Sequence, residues 1–219
     1  MRYSLIVFDW DGTLLDSAGG IVECIQEAAR DLRLPVPARE TASHVIGLGL
    51  RDSLRTAVPA LPEGQYREFA EAYRRHFLAR QGSMALFPGV RELLQDLHAA
   101  GHRLALATGK SRRGLEHALE STALRRYFAA SRCADETNPK PHPAMLLELM
   151  AHFAAAPGQA LMIGDTSHDL EMARSAGVDA VAVCLLHADL DASHEQLVAK
   201  ELAARGLDVT CSHEVSPEF

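Results

Sequence analysis

The chain has 219 residues, of which 47% are apolar and 23% charged, with 15 Gly and 10 Pro; this ordinary globular composition excludes collagen-like and disordered chains. Twenty-two basic against 29 acidic residues leave a net charge of −7, which gives no electrostatic footprint for a nucleic-acid backbone or an anionic membrane. Cys24, Cys133, Cys184 and Cys211 are scattered without a C-x-x-C pair, so neither a disulfide framework nor a thiolate zinc site is expected and the four read as buried thiols.

Leu5 to Phe8 is a short apolar, β-rich run followed by Asp-Gly, the pattern of a buried strand running into a turn. It is too short for a signal peptide or a spanning helix, and the expected address is the cytoplasm. Arg103 to Ala107, Ala129 to Cys133, Ala160 to Ile163 and Ala180 to Val183 read as further strands, each reached through a helical pattern. Gly101 and Gly177 stand where left-handed helix C-termini are expected. The interval between the first two strands is far longer than a crossover needs and largely helical in pattern. Ile21, Cys24, Ile25, Ala28 and Leu32 share one helix face ahead of Pro35 and Pro37, and Tyr66 to Leu78 is helical again. The expected fold class is α/β, a Rossmann-like parallel sheet core with helices on both faces and a small α-helical cap domain inserted. The core is assigned to residues 1–16 and 85–183, the cap to 17–84, and an atypical segment to 184–219.

Asp9-Trp10-Asp11-Gly12-Thr13-Leu14-Leu15-Asp16-Ser17 follows the first strand, on the rim where open parallel sheets bind ligands. Two carboxylates two residues apart there are costly unless paired or metal-bound. An Asp-Gly turn alone does not account for the complete run. Beyond the later strands come Thr108-Gly109-Lys110, then Lys140-Pro141, then Gly164-Asp165-Thr166-Ser167-His168-Asp169. Singly, these read as a turn, a solvated charge and an N-cap; in order, each past a strand, they carry a specific signal.

These four motifs resemble those of the haloacid dehalogenase-like hydrolase superfamily, over about Arg2 to Val183, and the helical insertion looks most like its phosphoglycolate phosphatase-like branch. The resemblance implies a Mg²⁺-dependent phosphatase acting on a small phosphorylated metabolite, phosphoglycolate-like or a sugar phosphate. In the family's scheme Asp9 attacks phosphorus to give an aspartyl-phosphate, and Asp11 protonates the leaving oxygen and then activates water. Asp9, Asp165 and the backbone carbonyl of Asp11 would ligate Mg²⁺, with Asp169 behind them. Thr108 and Gly109 would hold phosphoryl oxygens, and Lys140 would offset the charge of Asp9 and phosphate. A dehalogenase has no acid at the position of Asp11, so dehalogenation is disfavoured. Asp16 and Ser17 match the point where the family's chain passes into the cap, and capping of the helix near Ile21 is the preferred reading of both. Gly47-Leu48-Gly49-Leu50-Arg51 suggests a flexible segment bringing Arg51 to an anionic substrate, against the plainer reading of an exposed arginine. His142 and His168 flank motif residues without matching them and read as bystanders.

Two rivals share the acidic pair: a phosphomutase of the same superfamily, and a non-enzymatic phospho-accepting receiver domain, in which the phosphorylated Asp follows a later strand and no insertion interrupts the chain. From Cys184 the sequence is atypical and resembles a fragment of the hydantoinase A/oxoprolinase family, too short to imply that activity; ordinary divergence of a C-terminal edge accounts for it equally well. Ser193 to Gln196 reads as a capping box, Leu197 to Ala204 as a helix stopped by Gly206, and Leu207 to Cys211 as a candidate strand. The expected partner is a small phosphorylated metabolite, with no nucleic acid and no membrane, and the oligomeric state is not legible.

Overall fold

The computed structural model describes residues 2–178 and 180–183. Five strands, β1 (Leu5–Phe8), β2 (Arg103–Thr108), β3 (Phe128–Cys133), β4 (Ala160–Gly164) and β5 (Ala180–Val183), form one sheet in the order β3-β2-β1-β4-β5. All its pairings are parallel, and β1 lies at the centre, with Leu5 opposite Arg103 on one side and Ala160 on the other. The chain moves outward through β2 and β3, then returns to the far side of β1 for β4 and β5. The resulting crevice lies beyond the carboxyl ends of β1 and β4.

Both faces of the central strands β1 and β2 are buried, so the alternation of side chains along a strand sends neighbours into different apolar layers. Ile6, Phe8, Leu104 and Leu106 meet Val90 and Leu94 of α5 (Val90–Ala99) and Leu115 and Leu119 of α6 (Arg112–Thr122). Leu5, Val7, Ala105 and Ala107 meet Met145, Leu146 and Leu149 of α7 (Ala144–Phe153) and Met172 of α8 (Ser167–Ser175). The expected Gly101 and Gly177 helix ends are present, with φ of 85° and 70°. Cys24 and Cys133 are buried free thiols, as expected, and Cys184 and Cys211 lie outside the described residues.

Four helices form the insertion between β1 and α5: α1 (Ala18–Asp31), α2 (Arg39–His44), α3 (Leu50–Ala57) and α4 (Tyr66–Arg80). They enclose an apolar cluster of their own, in which Ile21, Val22, Ile25 and Ala28 of α1 meet Leu54 of α3 and Phe69 of α4. Along the outer edge of α1 and α4, Arg80 pairs with Glu27 at 2.6 Å and His76 reaches Asp31 at 2.7 Å. The two chain segments leading in and out run side by side: the N–H of Asp16 donates to the Ala85 carbonyl at 2.9 Å, and that of Phe87 to the Leu14 carbonyl at 3.1 Å. Among the described residues no helix is long and apolar enough to cross a membrane. The capping box, helix and strand expected between Ser193 and Cys211, and the assignment of 184–219 as a whole, fall outside the described residues.

Candidate active site

Past Phe8 the backbone continues the sheet for one more step, the N–H of Asp9 donating to the Ile163 carbonyl at 2.9 Å. Trp10 is buried in the layer shared with α5 and α6, and its indole Nε1 has no hydrogen-bond partner among the described residues. Asp9 is fully enclosed. Its Oδ1 forms an ion pair with Lys140 Nζ at 2.7 Å, and the same ammonium lies 2.6 Å from Asp169 Oδ1. Asp9 Oδ2 is buried without a partner among the described residues. Burial pushes the Asp9 carboxyl well above the usual carboxylate range, against the pull of Lys140, and Asp169 and Asp165 push the same way. Burial alone would lower Lys140, but Asp169 and Asp9 outweigh it and hold the ammonium above its ordinary range.

Two glycines let the other carboxylates approach. Gly12 has φ +86°, and a Cβ there would stand 2.1 Å from Asp165 Oδ2; a Cβ on Gly164 would stand 2.3 Å from Asp169 Cγ. Thr13 Oγ1 donates to Asp165 Oδ1 at 2.8 Å. Burial pushes Asp165 up to about 7, the Thr13 hydrogen bond opposing it and Asp169 reinforcing it. Asp169 Oδ2 accepts from the backbone N–H and the hydroxyl of Thr166, at 3.2 and 2.7 Å. Thr166 and Asp169 thus cap α8, and Asp165 is left clear of the helix N-cap. Carboxylate oxygens of Asp9, Asp165 and Asp169 lie within 4.8 Å of one another. An all-oxygen set of this size, with one buried oxygen unpaired, fits a hard divalent cation such as Mg²⁺.

Asp11 stands at the same rim. Ser17 Oγ donates to its Oδ1 at 2.7 Å, and Lys110 Nζ lies 2.9 Å from its Oδ2. Ser17 begins α1 without a side-chain capping bond, so its hydroxyl serves Asp11 where helix capping was expected, and Asp16 is exposed. Thr108 is buried at the end of β2, its hydroxyl accepting from the N–H of Lys110 at 3.2 Å. Gly109 lies directly under the helical insertion, since a Cβ there would come within 2.5 Å of the Leu48 carbonyl and 2.6 Å of that of Gly47.

The structure therefore gathers Asp9, Lys140, Asp165 and Asp169 in one cluster and sets Asp11, Thr108 and Gly109 on the strand ends beside it. It does not bring Arg51 there. That side chain is exposed on α3, paired with Glu63 at 3.5 Å and lying over the Tyr66 ring. His142 Nδ1 accepts from the N–H of Ala144 at the start of α7, and His168 Nε2 donates to the His44 carbonyl at 2.9 Å. Thr13 and Lys110 stand within the motifs without a role assigned from sequence, and Ser17 is read there as a helix cap. The partner that gives each its role lies elsewhere along the chain, Asp165 for Thr13 and Asp11 for Ser17 and Lys110.

A family model described as haloacid dehalogenase-like hydrolase matches residues 6–183, the span that contains the whole carboxylate cluster. The chain belongs to the haloacid dehalogenase-like hydrolases. It is an enzyme of the phosphatase type. A probable phosphatase, IndB, of Dickeya dadantii is 37% identical over 82% of this chain and 80% of its own length. The phosphoglycolate phosphatase of Salmonella paratyphi A is 32% identical over 81% of this chain and 80% of its own length. The tyrosine-protein kinase PtkA of Mycobacterium tuberculosis is 35% identical, and this chain spans 61% of that protein's length. Among solved structures, a predicted phosphoglycolate phosphatase of Haemophilus somnus superposes with a TM-score of 0.73 at 28% identity, covering 83% of this chain and 85% of its own. The family match ends at Val183.

Proposed function

We propose that this hydrolase removes phosphate from a small phosphomonoester, phosphoglycolate-like or a sugar phosphate, with Mg²⁺ as cofactor and an aspartyl-phosphate on Asp9 as intermediate. The observation that carries the reading is Asp9 itself: a buried carboxylate with one oxygen on the Lys140 ammonium, the other unpartnered, and two more carboxylates within 4.8 Å. A phosphate monoester is a dianion, and a carboxylate nucleophile approaches it only where positive charge offsets the repulsion. Mg²⁺ held by Asp9, Asp165 and the backbone carbonyl of Asp11 would supply such charge, with Asp169 orienting its neighbours. Lys140 supplies the rest from the protein.

An Asp9 oxygen forms the new bond to phosphorus as the bond to the ester oxygen breaks, and Asp11 gives that leaving oxygen its proton. Asp11 then takes a proton from water, whose oxygen attacks phosphorus and breaks the bond to Asp9, releasing phosphate. Thr108 and the N–H of Gly109 hold phosphoryl oxygens through both steps. Residues 17–84 act as a cap: the carbonyls of Gly47 and Leu48 already lie against Gly109, next to the proposed phosphate position, where they exclude water from the reaction. A phosphomutase would use the same Asp9 and Asp11 but return the phosphoryl group to a sugar. The test is free-phosphate release across phosphorylated acids, sugars and nucleotides, with Mg²⁺ and with EDTA. Release from small esters only with metal is expected; no release from any ester, or sugar isomerisation without release, would refute the hydrolytic reading.

A further inference from the structure

Both carboxylate oxygens of Asp11 are held, and each hold leads into the helical insertion. Ser17, which donates to Oδ1, immediately precedes α1. Lys110, on Oδ2, extends its ammonium to 4.8 Å from the ring centre of Phe77 on α4. The side chains of Lys110 and Asp11 are each only 11% exposed, so this pair is screened far less than a surface ion pair. Lys110 offers only donors and fixes Oδ2 as an acceptor, whereas the Ser17 hydroxyl can donate or accept. Oδ1 is therefore the oxygen left able to pass a proton. The Phe77 ring offers the same ammonium a cation–π contact, and that ring belongs to α4 of the insertion.

From this geometry we infer that Lys110 is a positioning residue for Asp11 and that Phe77 is its platform on the insertion, so that the proton donor is correctly placed only while α4 lies against the core. The inference rests on the reading of Asp11 as proton donor given above, and the experiment separates the two. It compares kcat/KM for p-nitrophenyl phosphate, whose leaving group needs no proton, with that for the aliphatic ester best turned over in the release panel. Because kcat/KM covers the steps up to departure of the leaving group, a misplaced donor shows as a loss confined to the aliphatic ester. Asp11→Asn serves as the reference, with an expected aliphatic-selective loss of about 100-fold. Lys110→Met is expected to lose about ten-fold on the aliphatic ester and less than about three-fold on p-nitrophenyl phosphate, with Lys110→Arg recovering most of the difference and Phe77→Leu falling between. Activities are normalised to the folded fraction from thermal melts of each variant. Equal losses on both esters for Lys110→Met, with Asp11→Asn still selective, would overturn the inference and leave the donor reading intact. An Asp11→Asn variant without selectivity would overturn the donor reading, and the inference with it.

Discussion

Replacing Lys140 with methionine keeps an unbranched apolar stem in its slot and removes the charge that lies 2.7 Å from Asp9 and 2.6 Å from Asp169. All three residues are at most 1% exposed, so the two carboxylates cannot turn to water for compensation. Removing one partner of a buried ion pair costs about 3–5 kcal/mol, and for a domain of roughly 150–250 residues each kcal/mol moves the melting midpoint by about 2–4 °C. The Lys140→Met protein should therefore melt about 6–20 °C below wild type at pH 7.5 in EDTA. With the cation gone, burial leaves the Asp9 carboxyl above its unfolded range, so the folded state binds more protons than the unfolded one and stability falls as pH rises. The deficit should accordingly shrink between pH 7.5 and pH 5, and Mg²⁺ should recover part of it by returning positive charge to the cluster. Circular dichroism melts of both proteins at the two pH values, with EDTA and with Mg²⁺, measure this. A deficit under about 2 °C at pH 7.5, or one that widens on acidification, would refute the charge argument.

Asp9→Asn should retain the fold and lose phosphate release altogether, since the amide can neither attack phosphorus nor balance a metal; more than trace release from rigorously purified protein would remove Asp9 as nucleophile. Asp165, pushed up to about 7 by burial, keeps its proton in the metal-free folded chain only below about pH 7, while an unfolded aspartate ionises near about 4. The stability it contributes is thus greatest at low pH and lost as pH rises through about 7. Melting midpoints in EDTA from pH 5 to 8 should fall more steeply for wild type than for Asp165→Asn, and Mg²⁺ should flatten the difference; parallel curves in EDTA would contradict the shift. Gly12→Ala combines a φ of +86° with a Cβ 2.1 Å from Asp165 Oδ2, so the Mg²⁺ concentration for half-maximal activity should rise at least about ten-fold; an unchanged requirement would detach Asp165 from metal binding.

Much of the architecture was legible because burial leaves a plain trace in the sequence. Leu5 to Phe8 could only be a strand covered on both faces, and the later strands lie within a residue or so of the expected ranges. Which neighbour faces which layer was not legible, since Leu5 and Ile6 are equally apolar and only the packed helices separate them. The motif residues came from spacing along the chain, and so Asp9, Lys140, Asp165 and Asp169 meet as the resemblance implied. Ser17 was misread because a serine ahead of a helix has a local use that competes with a tertiary one. The nearby Asp11 takes its hydroxyl, leaving α1 without a side-chain cap. Lys110 was overlooked for the opposite reason, because its two partners lie 99 and 33 positions away along the chain and no periodicity links them. Arg51 drew notice for its flanking glycines, yet helix α3 starts at Leu50 and carries its guanidinium to Glu63.

Trp10 is the chain's single tryptophan, and it lies fully enclosed between the two aspartates at the end of β1. An indole shielded from water emits at short wavelength, and here all of the chain's indole emission comes from one residue. The peptide units on either side of that ring carry Asp9 and Asp11. On the proposed mechanism, metal loading, phosphorylation of Asp9 and its hydrolysis would each change charge one residue away from the fluorophore. Trp10 would then be an intrinsic optical reporter, and stopped-flow fluorescence of the wild-type enzyme is expected to follow those steps without any label.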